Sequence, residues 1–245
     1  MGRELRKTAE QEALGAETLV DVVEARLRAD IINGALHAGH RLRVDALRTR
    51  YETGATPVRE ALSRLLVEGL VDLSNNRGFR VPLLTYDDLL DLSRTRALVE
   101  GAAAREAIES GDDRWEADLM SAFHVLRRRA ARDLADIVMR QAYYDAHHEF
   151  HVALLAACRS PRLLEIQARL EHQHSRYYRQ LPFDRIASED LIAEHERIIE
   201  LAMSRDGAAV EQFVRRHIML TVEQLEPRKF SRAFEGELTV VAPSD

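Results

Sequence analysis

Cysteine is nearly absent from this chain. A lone Cys158 among 245 residues cannot close an intrachain disulfide, and it suits a reducing cytoplasm. Proline numbers 6 and glycine 11, which excludes low-complexity linkers and permits long ordered elements. No apolar run approaches the roughly 20 residues of a membrane-spanning helix, so no membrane partner is expected. The first residues, Met1 to Gly15, are charged and lack the apolar core of a secretory leader. A global excess of positive charge is missing too: the net charge is −6, which does not by itself advertise a nucleic-acid partner. What remains is 46% hydrophobic and 31% charged, an ordinary soluble balance, in a length comfortable for two domains.

The charge is unevenly spread. Between Arg41 and Arg80 eight arginines face five acids, a local excess of +3, so the acidic surplus lies mainly after Tyr86. This suits a basic reading module joined to an acidic regulatory body, or simply a solvated face with a small excess. Residues 1–16 read as a mobile arm. From Glu17 to Ile32, Leu19, Val22, Val23, Leu27 and Ile31 recur at helical spacing, and Asn33-Gly34 ends the helix. Val44 to Tyr51 is a second, short helix. Thr56-Pro57-Val58-Arg59-Glu60-Ala61-Leu62 opens a third that runs to about Gly69, with Thr56 as its expected N-cap and Pro57 in the first turn. Leu70 to Ser74 and Phe79 to Pro82 then read as short strands around Asn75-Asn76-Arg77-Gly78, which is hairpin chemistry. Three helices and a hairpin over residues 17–84 make a winged helix-turn-helix.

Taken together, Ile31-Ile32-Asn33-Gly34, Gly39-His40-Arg41-Leu42, Thr56 to Leu62, Glu68-Gly69-Leu70-Val71 and Asn76 to Val81 resemble the DNA-binding domain of the GntR family of bacterial transcription regulators. In that family the recognition helix enters the major groove and the wing reaches the adjacent minor groove. The resemblance implies that Arg59 contacts bases or phosphate, that Thr56 contacts a phosphate, and that Arg77 with Gly78 forms the wing site. Arg48 and Arg50, on the preceding helix, are further phosphate contacts. The chain departs from the family at its leading edge. Gly54-Ala55 stands where a small polar residue and an arginine are usual, and Glu52-Thr53 where Gly-Val is usual. One base-reading arginine is therefore missing, and the operator preference should differ.

Residues 85–226 carry only helical periodicity, which predicts an all-α bundle. The expected helices span Thr85 to Ser110, from Asp112 through Leu126, about Asp133 to Ala157, Pro161 to about Leu181, from Ser188, and from Gly207 to near Leu225. In the first, Leu89, Leu92, Leu98, Val99, Ala102, Ala103 and Ile108 mark the periodic positions. Residues 227–245 read as a tail in which Leu238 to Val241 is a short strand or disordered. His147 and His151 are four apart and share a helix face, while His195 and His217 lie on later helices. Such a set could converge on a metal, or could be ordinary core and surface histidines.

The segments His148 to Leu154, Glu194 to Ile199 and Arg216-His217-Ile218 look like the ligand-binding FCD domain of the FadR subfamily, over roughly Tyr86 to Leu225. The resemblance implies a divalent metal held by an Asp, a His four residues later, and one His from each of two later helices. His151, His195 and His217 take the three His positions, and His147 stands where the Asp is usual. An all-imidazole set favours zinc or nickel over magnesium, calcium or manganese. Asp145 is a candidate to orient His148, and His124, His148, His172 and His174 are expected to be structural or solvated. Arg96 falls where the subfamily often has an arginine that binds an anionic effector; it could equally form an i, i+4 pair with Glu100.

The expected function is a cytoplasmic, homodimeric transcription regulator that binds operator DNA under the control of a small carboxylate and a metal. Two alternatives stand beside it: a regulator that responds to the metal alone, and a metal-dependent enzyme fused to a DNA-binding head.

Overall fold

The computed structural model describes residues 18–74, 78–180 and 189–223. The expected arm and tail and the wing tip at Arg77 lie outside these residues. The chain divides into two compact units, one up to Leu83 and one from Leu84.

The first unit is the expected winged helix-turn-helix. Helix α1 spans Leu19–Ile32 and starts with a reciprocal cap: Thr18 Oγ1 accepts from the Asp21 N–H, and the Asp21 carboxylate accepts from the Thr18 N–H. It stops at Asn33, and Gly34 follows with φ of 79°, a conformation glycine adopts without steric cost. Strand β1 (Arg41–Leu42), helix α2 (Val44–Tyr51), helix α3 (Ala55–Val67), strand β2 (Asp72–Ser74) and strand β3 (Gly78–Arg80) complete it. The sheet order is β1-β3-β2, antiparallel throughout. The core is apolar and closed, with Leu27, Ile31, Leu62, Leu65 and Leu70 fully buried.

Two details differ from expectation. Helix α3 begins at Ala55, and its N-cap is Gly54 with no side-chain hydrogen bond. Thr56 is therefore not the cap; it is an exposed residue of the first turn, beside Pro57, whose missing N–H would have had no helical partner there. Strand β1 was not expected. Two residues are too short to show alternation, and β1 exists because β3 offers it an edge: Arg41 pairs with Arg80 and Leu42 with Phe79.

The second unit contains helices α4 (Tyr86–Ser110), α5 (Asp113–Ala130), α6 (Ile137–Leu155), α7 (Pro161–Gln180), α8 (Glu189–Met203) and α9 (Gly207–Glu223), with no strand among its described residues. Thr85, Asp112 and Asp136 cap α4, α5 and α6 with their side chains. The Asp136 cap starts α6 later than Asp133, where it was expected. Helix α4 packs against α7 and α9, and α5 against α6. The α4–α9 approach is close: a Cβ on Gly101 would sit 2.8 Å from Cγ of Arg215 and 3.2 Å from the Glu211 carbonyl. The inward face of α4 carries the expected Leu89, Leu92, Ala103 and Ile108, and a charge pair beside them. Leu98 is 56% exposed, while Arg96 and Glu100 are buried.

Candidate functional site

Three helices bring the four predicted histidines to one point. Helix α6 contributes His147 and His151 from consecutive turns, α8 contributes His195 and α9 contributes His217. One ring nitrogen from each lies within 4.8 Å of all the others. Ring centroids are 4.8 Å apart for His147–His151 and His147–His195, and 4.6 Å for His195–His217. His151, His195 and His217 are buried, and His147 is half-buried at the rim.

The cluster is oriented by Glu100, which the sequence predicts only as a partner for Arg96. Glu100 Oε1 lies 2.7 Å from His151 Nδ1. Its Oε2 accepts from Arg96 Nε at 2.9 Å and from Gln167 Nε2 at 3.1 Å. Burial pushes the Glu100 carboxyl up, but Arg96, His151 and Gln167 together outweigh it and hold it well below the usual carboxylate range. An ionised carboxylate can only accept, so His151 donates through Nδ1–H and Nε2 is the ring nitrogen left over. That Nε2 is buried and has no hydrogen-bond partner. Burial, reinforced by the neighbouring imidazoles, lowers His147 well below the ordinary histidine value; burial also lowers His217, against the pull of Glu194. Imidazoles whose charged form is disfavoured, next to a ring tethered to a carboxylate behind it, are what a divalent metal needs from its ligands. The residues fit the ion.

Beside the histidines is a cavity of about 20 Å³, room for about one water. Its walls include Arg96, His147, His151, His174, Tyr178 and His217. The pair expected between Arg96 and Glu100 is formed, but in the interior rather than on the surface. Arg96 NH1 also lies 3.0 Å from His174 Nδ1. Burial and the adjacent Arg96 drive His174 down to about 3, so it meets the guanidinium as a neutral acceptor. His174 is thus part of the cavity rather than a solvated bystander. His148 is oriented by Glu171, 3.4 Å from its Nδ1, and not by Asp145, which instead accepts from Gln141 and Arg179. A sequence signal for this network existed: an acid and an arginine sit in register with Leu89, Leu92 and Ala103, positions that α4 buries.

In the head, Arg59 and Thr56 are exposed on α3. Glu60, next to Arg59 in the chain, accepts from Arg64 at 2.9 Å, and Arg64 also reaches Asp21 and Glu24. Arg59 makes no ion pair among the described residues. Arg48 and Arg50 are both half-exposed but engaged, Arg48 with Asp45 at 3.3 Å and Arg50 with Asp30 at 2.8 Å. Asp30 also accepts from the Tyr51 hydroxyl, so Arg50 is braced against the core. Gly78 has φ of 91° at the start of β3, with open space around it.

Comparison with known proteins agrees with both halves. Residues 19–81 match the model of the gntR family of bacterial regulatory proteins, and residues 91–219 match the FCD domain. The chain is 35% identical over 202 residues to the HTH-type transcriptional regulator BphR of Paraburkholderia xenovorans (strain LB400), covering 82% of each. It is 33% identical over 201 residues to the HTH-type transcriptional repressor GlaR of Escherichia coli (strain K12), covering 80% of this chain and 90% of the relative. Among solved structures, E. coli McbR/YncC superposes with a TM-score of 0.70 at 22% identity, over 84% of this chain and 96% of that one, which supports the fold.

Proposed function

We propose, for a chain that belongs to the gntR family of bacterial regulatory proteins and is a DNA-binding transcription regulator rather than an enzyme, that its FCD domain is controlled by a divalent metal and a small carboxylate. His147, His151, His195 and His217 hold the metal. The single observation that carries this reading is the convergence of four imidazole nitrogens within 4.8 Å, with Glu100 behind one of them. Four nitrogens favour zinc or nickel. When bound, such an ion supplies a Lewis-acidic anchor for a carboxylate oxygen. Arg96, on the wall of the same cavity, supplies a charged fork for the rest of that group.

The reading head then works as its family implies. Arg59 and Thr56 meet the major groove, Arg48 and Arg50 the backbone, and Arg77 with Gly78 the wing site. Two copies of the chain place two heads on half-sites about one helical turn apart. Ligand and metal act by binding the DNA-competent and incompetent states with different affinity.

Metal analysis of protein purified without a histidine tag tests the centre: zinc or nickel near one per chain is expected, and neither bound metal nor uptake on titration would overturn it. Thermal-shift screening with organic acids, with and without chelator, tests the effector. Stabilisation by an acid only in the metal form supports the reading. A second reading, regulation by the metal alone, is favoured by the size of the cavity, about 20 Å³ against the several hundred Å³ of usual ligand pockets. Metal-dependent operator binding with no response to any acid would select it.

A further inference from the structure

The wing sheet carries a charge arrangement that its own packing does not explain. Arg41 of β1 and Arg80 of β3 are directly opposite, and Asp72 of β2 is opposite Arg80 on the other side. Opposed residues of antiparallel strands project from the same face, with Cβ atoms about 4.5–5.5 Å apart. The alternate row is Leu42, Phe79 and Leu73, of which Leu42 is buried and Phe79 packs against the core. The arginine row therefore occupies the outer face of the sheet.

One carboxylate serves this row, and only Arg80 approaches it. Arg80 NH2 is 3.7 Å from Asp72, both side chains being nearly half-exposed. Arg80 Nε is buried without a hydrogen-bond partner. Arg41 is exposed and makes no ion pair among the described residues. Like charges placed directly opposite destabilise a sheet, and an orphaned donor adds to that cost. Other arginines of this unit are well neutralised, Arg28 by Glu24 and Glu68 and Arg64 by three acids. The outer wing row is short of an anion.

We infer that Arg41 and Arg80 form a phosphate clamp that grips the DNA backbone from the base of the wing, with Asp72 as a competitor that the phosphate displaces. This rests on the reading of the first unit as the DNA-binding head. The clamp adds affinity without sequence preference, because it grips the backbone and not the bases.

The test uses the full chain, a mixed-sequence DNA duplex of about 30 base pairs and fluorescence anisotropy across a salt series, since each neutralised phosphate contributes about 0.9 to the slope of log affinity against log salt. The double variant Arg41→Gln with Arg80→Gln should lower the slope by about that amount for each head engaged. Asp72→Asn should tighten binding. Arg59→Ala serves as the control for the head. An unchanged slope in the double variant, with a reduced one in Arg59→Ala, overturns the clamp. So does an unchanged slope accompanied by a shifted melting temperature, which would assign the row to packing within the chain. If neither variant alters the slope, the head is misplaced and the clamp falls with it. Should the double variant fail to fold, Arg41→Gln alone and Asp72→Asn decide the matter, because both side chains lie at the surface.

Discussion

His151 and Glu100 face each other 2.7 Å apart, both buried, across the junction of α4 and α6. The carboxylate fixes which imidazole nitrogen carries the proton and therefore which one is offered to a metal. Glu100→Gln keeps the shape but removes the charge. Metal affinity, measured by competition with a chelator, should fall about 10- to 100-fold. The same change leaves Arg96 buried with a weaker partner, so the melting temperature should fall as well. An unchanged metal affinity would mean that the cluster does not ligate through His151.

Acid should destabilise the metal-free protein in two steps. His174 is held at about 3 against an ordinary 6.5, and His147 and His217 are also lowered, by burial first. The unfolded chain takes up protons at these sites as pH falls below 6.5, and the folded chain does not. Stability is therefore full above 6.5 and declines below it. Glu100 and Glu171 are lowered too, so their contribution is full above about 4.5 and is lost below that value. A melting-temperature series on chelator-treated protein should fall below 6.5 and steepen below 4.5. His174→Leu should flatten the first step; a series that stays level down to pH 5 would contradict the assignment of neutral buried imidazoles.

Arg59→Ala should abolish specific operator binding while leaving the melting temperature and metal content unchanged. A good bidentate arginine–guanine contact carries about 1–3 kcal/mol of discrimination, and Ala55 provides no substitute. Footprinting on the DNA flanking the gene reads the outcome. A protected site that survives the mutation would show that the recognition helix is not the reader.

Gly101 sets how near α9 comes to α4. Replacing it with leucine should push Arg215 and the Glu211 backbone away and carry His217 with them. Metal affinity and thermal stability should fall together, whereas Gly207→Ala, at a looser contact of 3.2 Å with the flexible Arg105 side chain, should do much less. Equal effects would show that the spacing of α4 and α9 does not govern the cluster.

Much of this was legible in the sequence because it rests on local rules. Thr85 and Asp112 mark helix starts by their own hydrogen-bonding chemistry, and Trp115, Leu119, Phe123 and Leu126 mark a buried face by period. The four histidines were found by spacing and resemblance together. What escaped was set by partners distant in sequence. Strand β1 depends on β3. Glu100 is met in the interior by His151 from α6 and Gln167 from α7, and Leu98, off that face, is exposed. Periodicity ranks residues by hydrophobicity, so it hides a buried charge pair inside a stripe of leucine and alanine.

Arg96 is already occupied. Its guanidinium is spoken for by Glu100 on one side and His174 on the other, around a space that admits about one water. A carboxylate that claims Arg96 must therefore break an internal contact before it makes its own. Its apparent affinity is the difference between two ion pairs rather than the strength of one. Its arrival is timed by the opening of the bundle and not by diffusion: the observed binding rate should level off as the acid concentration rises.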